Sequence, residues 1–140
     1  MKKEWLVLLN LAIILLTLSC NAQSDKGVEN EHPTAADIVE VYYFHFTQRC
    51  VTCQAVENET KKAIEELYAE ALKDERIVFV SFNLDNQEGK KMAGKLNISG
   101  QTLLVVKDDK KMNLTNQGFL YARTNPEILR QSIQRAVGKI

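Results

Sequence analysis

The chain lacks an excess of either charge: 18 basic side chains balance 18 acidic ones over 140 residues, and neither sign gathers into a long block. That excludes a nucleic-acid interface of the electrostatic kind, which needs a basic stripe. No self-similar period and no low-complexity tract runs through it, which leaves out repeat architectures. Methionine is scarce, and Met92 and Met112 are too few and too far apart for a methionine copper box. Cysteine is scarce too, with Cys20, Cys50 and Cys53 the full set. What remains is ordinary: 45% hydrophobic and 26% charged residues, in a length that accommodates one domain with a real core and not two.

One long apolar run exists, and it is N-terminal. Lys2 and Lys3 precede Trp5 to Leu18, broken only by Asn10 and Thr17, and small residues follow at Ser19, Cys20 and Ala22. A basic segment, an apolar segment and small cleavage-site residues make an export signal, over 1–19. The run is short for a membrane span of about 20 residues, the reading of it as a permanent anchor helix. "TLSC" resembles a bacterial lipobox, which would make Cys20 a lipidated first residue and the protein a membrane-anchored lipoprotein; Thr17 stands where that motif has Leu. Ordinary cleavage after Ala22, giving a soluble periplasmic form, is the alternative. Either way the mature domain keeps two thiols, and export takes them to an oxidising compartment where a disulfide persists. Residues 20–36 are polar, with Gly27 and Pro33, and read as a flexible tether carrying His32.

The folded domain is expected over 37–140. "IVEVYYFHF" is β-branched and aromatic, a strand covered on both faces. From Val51 to Lys73 apolar residues recur at threes and fours, the signature of a helix. Glu57/Lys61 and Glu66/Glu70 fall on what should be its solvated side. "RIVFVSFNL" is a second strand, "QEGKKMAGKLN" a short helix, "TLLVVK" a third strand, and "DDKK" a turn into a fourth, "MNLT". Asn125 as N-cap and Pro126 at N1 open the last helix. The order β-α-β-α-β-β-α predicts an α/β domain: a mixed central sheet with helices on both faces. "NQGFLYAR", Asn116 to Arg123, is left as a cover over the sheet end or a partner surface.

Cys50-x-x-Cys53 falls where the first strand meets the first helix. A helix N-terminus carries a partial positive charge and unpaired N–H groups, so a Cys50 thiolate would be stabilised there. Arg49 adds a full positive charge beside it, and a lowered thiol pKa makes a nucleophile near neutral pH. Cys53, one turn on, turns inward and can resolve a mixed disulfide formed at Cys50. Within a βαβ context this spacing points to a thioredoxin-like redox motif.

From about Asp37 to Ile140 the chain resembles a minimal thioredoxin fold, in element order and in the placing of "RCVTC". "YYFHFTQRCVTC", "ISGQTLLVVKDDKKMNLTN" and "ARTNPEIL" are more closely similar to exported bacterial thioredoxin-like proteins, described as arsenic-associated nitrophenyl-compound nitroreductase subunits. No Gly-rich phosphate loop follows a strand, so the resemblance implies a chain that supplies electrons rather than one holding a flavin. Relative to thioredoxins, Arg49, Val51 and Thr52 replace Trp, Gly and Pro. Phe44 replaces a buried acid used in proton transfer, and His45 should point to the opposite sheet face. Gln101 replaces a cis-proline. A trans peptide is expected there, with the Gln101 amide facing Cys50 and bonding its thiolate or a bound group.

These residues give a thiol–disulfide oxidoreductase or electron-transfer subunit whose only cofactor is the Cys50–Cys53 disulfide. Its partners would be a protein thiol or disulfide and, for an exported reductase, a transmembrane dithiol carrier. Two alternatives stand beside it. An inert staple would close a loop so small that it stabilises little. A dithiol module could hold copper, zinc or arsenite through Cys50, Cys53 and His45, although structural zinc takes four protein ligands. His45 otherwise reads as a core histidine bonded to backbone.

Overall fold

The computed structural model describes residues 37–140. The segments read as an export signal and a tether, with Cys20, lie outside the described residues. Among those described, no helix is long and apolar enough to cross a membrane.

Strand β1 (Val39–His45) leads into helix α1 (Val51–Leu67) and a short α2 (Ala69–Lys73), and the chain returns as β2 (Ile77–Asn83). Helix α3 (Gln87–Leu96) follows, then the hairpin β3 (Thr102–Lys107) and β4 (Lys110–Asn113), α4 (Thr115–Tyr121) and α5 (Pro126–Val137). The sheet order is β2-β1-β3-β4. The helical crossover makes β1 and β2 parallel, with Tyr43 beside Ser81, whereas β3 runs antiparallel to both β1 and β4. This is the minimal thioredoxin-like architecture that the sequence leads one to expect.

Alternation along β1 divides the core in two. Val41 and Tyr43 face α1, α4 and α5, where Val56, Ile64, Leu103, Leu129 and Ile133 are buried with them. Tyr42 and Phe44 face α3, packing with Phe82, Leu104 and Ala93. Both faces of the central strands are therefore covered, which is why they read as near-continuous apolar runs.

The structure departs from the sequence reading in four places. The helix expected over 51–73 breaks at Tyr68 (φ −134°, ψ 33°), and the re-aimed chain still brings Tyr68, Ala71 and Leu72 against the core. Strand β4 starts two residues early, at Lys110, because Asp108 takes up the left-handed conformation (φ 53°) and turns the hairpin within Asp108–Asp109. Asp tolerates that conformation, and lysines suit an exposed edge strand. "NQGFLYAR" lies mostly in helix α4, whose Gly118 sits so close to Val56 that an added Cβ would stand 3.0 Å from its Cγ1. Phe119 and Tyr121 pack on the α1 side of the core, so this segment covers the sheet. Asn125 does precede Pro126 at the start of α5, but its side chain makes no capping bond.

Candidate active site

Cys50 is the N-cap of α1, with extended backbone (φ −75°, ψ 161°), and its carbonyl accepts the first helical bond from Gln54 N–H at 3.1 Å. Cys50 and Cys53 form a disulfide with their Cα atoms 5.0 Å apart. The Cys53 N–H donates to Cys50 Sγ at 3.1 Å, and the Cys50 N–H donates to Cys53 Sγ at 3.2 Å. The sulfurs thus occupy the place that Ser and Glu side chains take in an ordinary capping box. A helix N–H aimed at Cys50 Sγ is the donor an anion at that sulfur needs. Cys50 is exposed while Cys53 is buried, so an incoming sulfur reaches only the first.

The loop that delivers Cys50 is fastened to the opposite connection. Thr47 N–H donates to Asp85 Oδ2 at 2.7 Å, Asn83 Nδ2 to Thr47 Oγ1 at 2.9 Å, and Leu84 N–H to the His45 carbonyl at 2.7 Å. The backbone and side-chain bonds from Thr47 hold the Asp85 carboxyl below its usual range. The β2–α3 loop can approach because Gly89 has no side chain; a Cβ there would sit 2.0 Å from the Asn83 carbonyl oxygen.

Beneath the first two turns of α1 lies a polar cluster. Arg49 turns inward, places its guanidinium 5.8 Å from the Tyr43 ring centroid, and pairs with Glu57. Both side chains are about four-fifths covered, at 21% and 20% exposure. Burial pushes the Glu57 carboxyl up, but the nearby Ser81 hydroxyl, the Arg49 bond and the Arg49 and His45 charges together hold it below its ordinary value. The Ser81 hydroxyl favours the anion without closing a hydrogen bond, since its Oγ, Tyr43 OH, Thr60 Oγ1 and Arg49 Nε are buried without partners. Burial raises the Tyr43 phenol, and Arg49 returns only part of the shift.

The residues singled out from sequence fall as follows. Phe44 is fully buried on the α3 face, stacked on Phe82 at 5.5 Å, so it faces away from α1. His45 is on the opposite face, as expected, stacked on Tyr43 with its Nδ1 2.9 Å from the Phe46 carbonyl. Gln101 precedes β3 at the sheet end where Phe44 pairs with Thr102, and no described peptide bond is cis. Its side chain is half-buried, and no hydrogen bond ties it to either sulfur of the disulfide. Among the described residues no three of His, Cys, Asp and Glu stand close enough to hold a metal ion, and Cys50, Cys53 and His45 form no such group.

Glu57 is the residue that sequence reasoning misplaced on the solvated face. A signal was available: it lies four residues after Cys53, on the same helical face, with an arginine immediately before the first cysteine.

No protein-family model and no curated protein matches the chain. Solved structures do. A chain of the ferredoxin:thioredoxin reductase–thioredoxin f2 complex is 25% identical, with 73% of this chain and 80% of that one covered and a TM-score of 0.48. The germline-specific thioredoxin Deadhead of Drosophila melanogaster is 15% identical, with 76% and 84% covered and a TM-score of 0.47. A thioredoxin of Trypanosoma brucei brucei is 18% identical, with 74% and 79% covered and a TM-score of 0.47.

Proposed function

We propose that this protein is an exported thiol–disulfide oxidoreductase, working on protein partners through Cys50 and Cys53. The observation that carries this reading is the inequality of the two sulfurs. Cys50 is exposed at a helix N-terminus with an N–H donor on its Sγ, and Cys53 is buried one turn on but bonded to it. An inert staple has no need of such a difference.

The chemistry balances without a further group. In the dithiol form the Cys50 thiolate attacks one sulfur of a partner disulfide, which breaks. A Cys50–partner mixed disulfide forms, and the departing partner sulfur takes a proton. Cys53, losing its own proton, then attacks Cys50 Sγ, releases the second partner thiol and closes Cys50–Cys53. Two electrons pass to the partner, and the same steps in reverse oxidise a partner dithiol. Arg49 would act on the Cys50 sulfur as a charge, and the Gln101 amide, which makes no hydrogen bond to the disulfide, would donate to the Cys50 thiolate in the dithiol form.

The sequence extends the proposal. The signal over 1–19 and the lipobox-like Cys20 support export and a lipid anchor, and an exported dithiol requires an electron source across the membrane, such as a transmembrane dithiol carrier. The resemblance to arsenic-associated nitroreductase subunits adds an electron-supplying role in such a system.

The test is to equilibrate the purified protein in dithiothreitol redox buffers, trap free thiols, and assay bound metal in the same samples. A single reversible two-electron transition in metal-free protein is expected. Stoichiometric metal on the cysteines with no reversible exchange would overturn the reading.

A further inference from the structure

Arg49 and Glu57 bracket the disulfide. Arg49 is joined to Cys50, and Glu57 lies one helical turn beyond Cys53 on the same face of α1. Their ion pair is folded between α1 and β1, with the guanidinium over Tyr43. The other groups facing it are few: Tyr43 and His45 from β1, and the uncharged Ser81 from β2. Charges this far covered are screened by salt less than exposed ones.

We propose that Glu57 is a positioning residue that sets the redox poise of Cys50–Cys53 by engaging the Arg49 charge. This rests on the dithiol-exchange reading. In the disulfide the sulfurs are neutral, and Arg49 and Glu57 satisfy one another. Reduction by a dithiol places two electrons and one of its two protons on the pair and releases the other proton to solvent, leaving a thiolate at Cys50 and a thiol at Cys53. Arg49 then faces two anions, and the Glu57 carboxylate both competes for the guanidinium and repels the new charge. The pair as a whole is neutral, so the site stabilises the thiolate less than an isolated Arg49 would. The protein is correspondingly more reducing. The lowered Glu57 pKa accords with a carboxylate that stays ionised through this cycle.

Three variants read this directly, in dithiothreitol buffers with thiol trapping. Glu57→Gln frees Arg49 and should shift the equilibrium about tenfold toward the reduced form, about 30 mV more oxidising. Arg49→Gln leaves the carboxylate alone and should move it in the other direction. The double variant should return to within about threefold of the parent, because a neutral pair has been replaced by a neutral pair. Cys50 alkylation by iodoacetamide at a fixed mildly acidic pH should rise, fall and return in the same order. Glu57→Asp, which keeps the charge, and Arg49→Lys guard against loss of fold and should stay near the parent. Single variants that shift the same way, or not at all, overturn the proposal. If the parent shows no reversible two-electron transition, the dithiol-exchange reading itself fails, and this proposal with it.

Discussion

Helix α3 carries two glycines whose replacement by alanine should have opposite effects. At Gly89 an added Cβ would stand 2.0 Å from the Asn83 carbonyl oxygen, 2.6 Å from its carbon and 3.2 Å from the Leu84 nitrogen. All three are backbone atoms, so no rotamer change relieves the overlap, and α3 must retreat from the end of β2. Overpacking of this kind costs about 1–3 kcal/mol and sometimes more. The gain in helix propensity, about 1 kcal/mol, offsets part of it. A net loss of about 2 kcal/mol is expected, because the overlap is severe and rigid. At Gly94 nothing lies within 4 Å of the added atom, so only the propensity term acts, and Gly94→Ala should stabilise by about 0.5–1 kcal/mol. With a urea m-value of about 1–2 kcal/mol/M, Gly89→Ala lowers the unfolding midpoint by about 1–2 M and Gly94→Ala raises it by about 0.5 M. Because Asn83 and Leu84 also anchor the loop before Cys50, Gly89→Ala should slow thiol exchange as well. Equal midpoint shifts for the two variants would refute the close approach of α3 to β2.

Other consequences concern the loop, the polar cluster and the core. Asp85→Asn replaces the charged acceptor of the Thr47 N–H with a weaker, neutral amide oxygen, so that amide should exchange faster with deuterium near neutral pH. The folded Asp85 carboxyl is depressed, so its contribution is complete above the ordinary carboxylate range and fades as pH falls through the folded value. The difference between parent and variant should therefore vanish in acid, and a difference that persists there contradicts the assignment. Thr60 is fully buried with an unpartnered hydroxyl, so Thr60→Val should be neutral or stabilising by up to about 1 kcal/mol in a urea titration. A loss above about 1 kcal/mol would mean that the hydroxyl has a partner. Phe44→Ala empties a fully buried site beside Phe82 and should cost about 3–5 kcal/mol in the same urea titration, whereas slowed thiol exchange with unchanged stability would contradict its place in the α3-side core.

Much of this architecture could be read before the structure. The strands β1 and β3 were legible because both faces are covered, and the long apolar runs of "VEVYYFH" and "TLLVVK" admit few other readings. The cysteine pair was legible because its spacing and its strand–helix junction are local properties. Helix α4 was not legible: its seven residues carry a buried glycine, and their helical state depends on contact with Val56 and Leu103, which are distant in sequence. The start of β4 was hidden by lysines, which suit an edge strand but do not announce one. Glu57 was misassigned because a carboxylate on a helix is ordinarily solvated; only the inward turn of Arg49 makes it part of the site. Phe44 and His45 fall on opposite faces, as alternation along a strand dictates.

The central claim is that the two sulfurs have different roles, and trapping tests it most directly. Cys53→Ser protein should accumulate a mixed disulfide with a model disulfide or protein partner, and mass spectrometry should place it on Cys50. Cys50→Ser protein should accumulate none, because Cys53 is buried. Equal trapping at both positions, or none in either variant, would contradict the account.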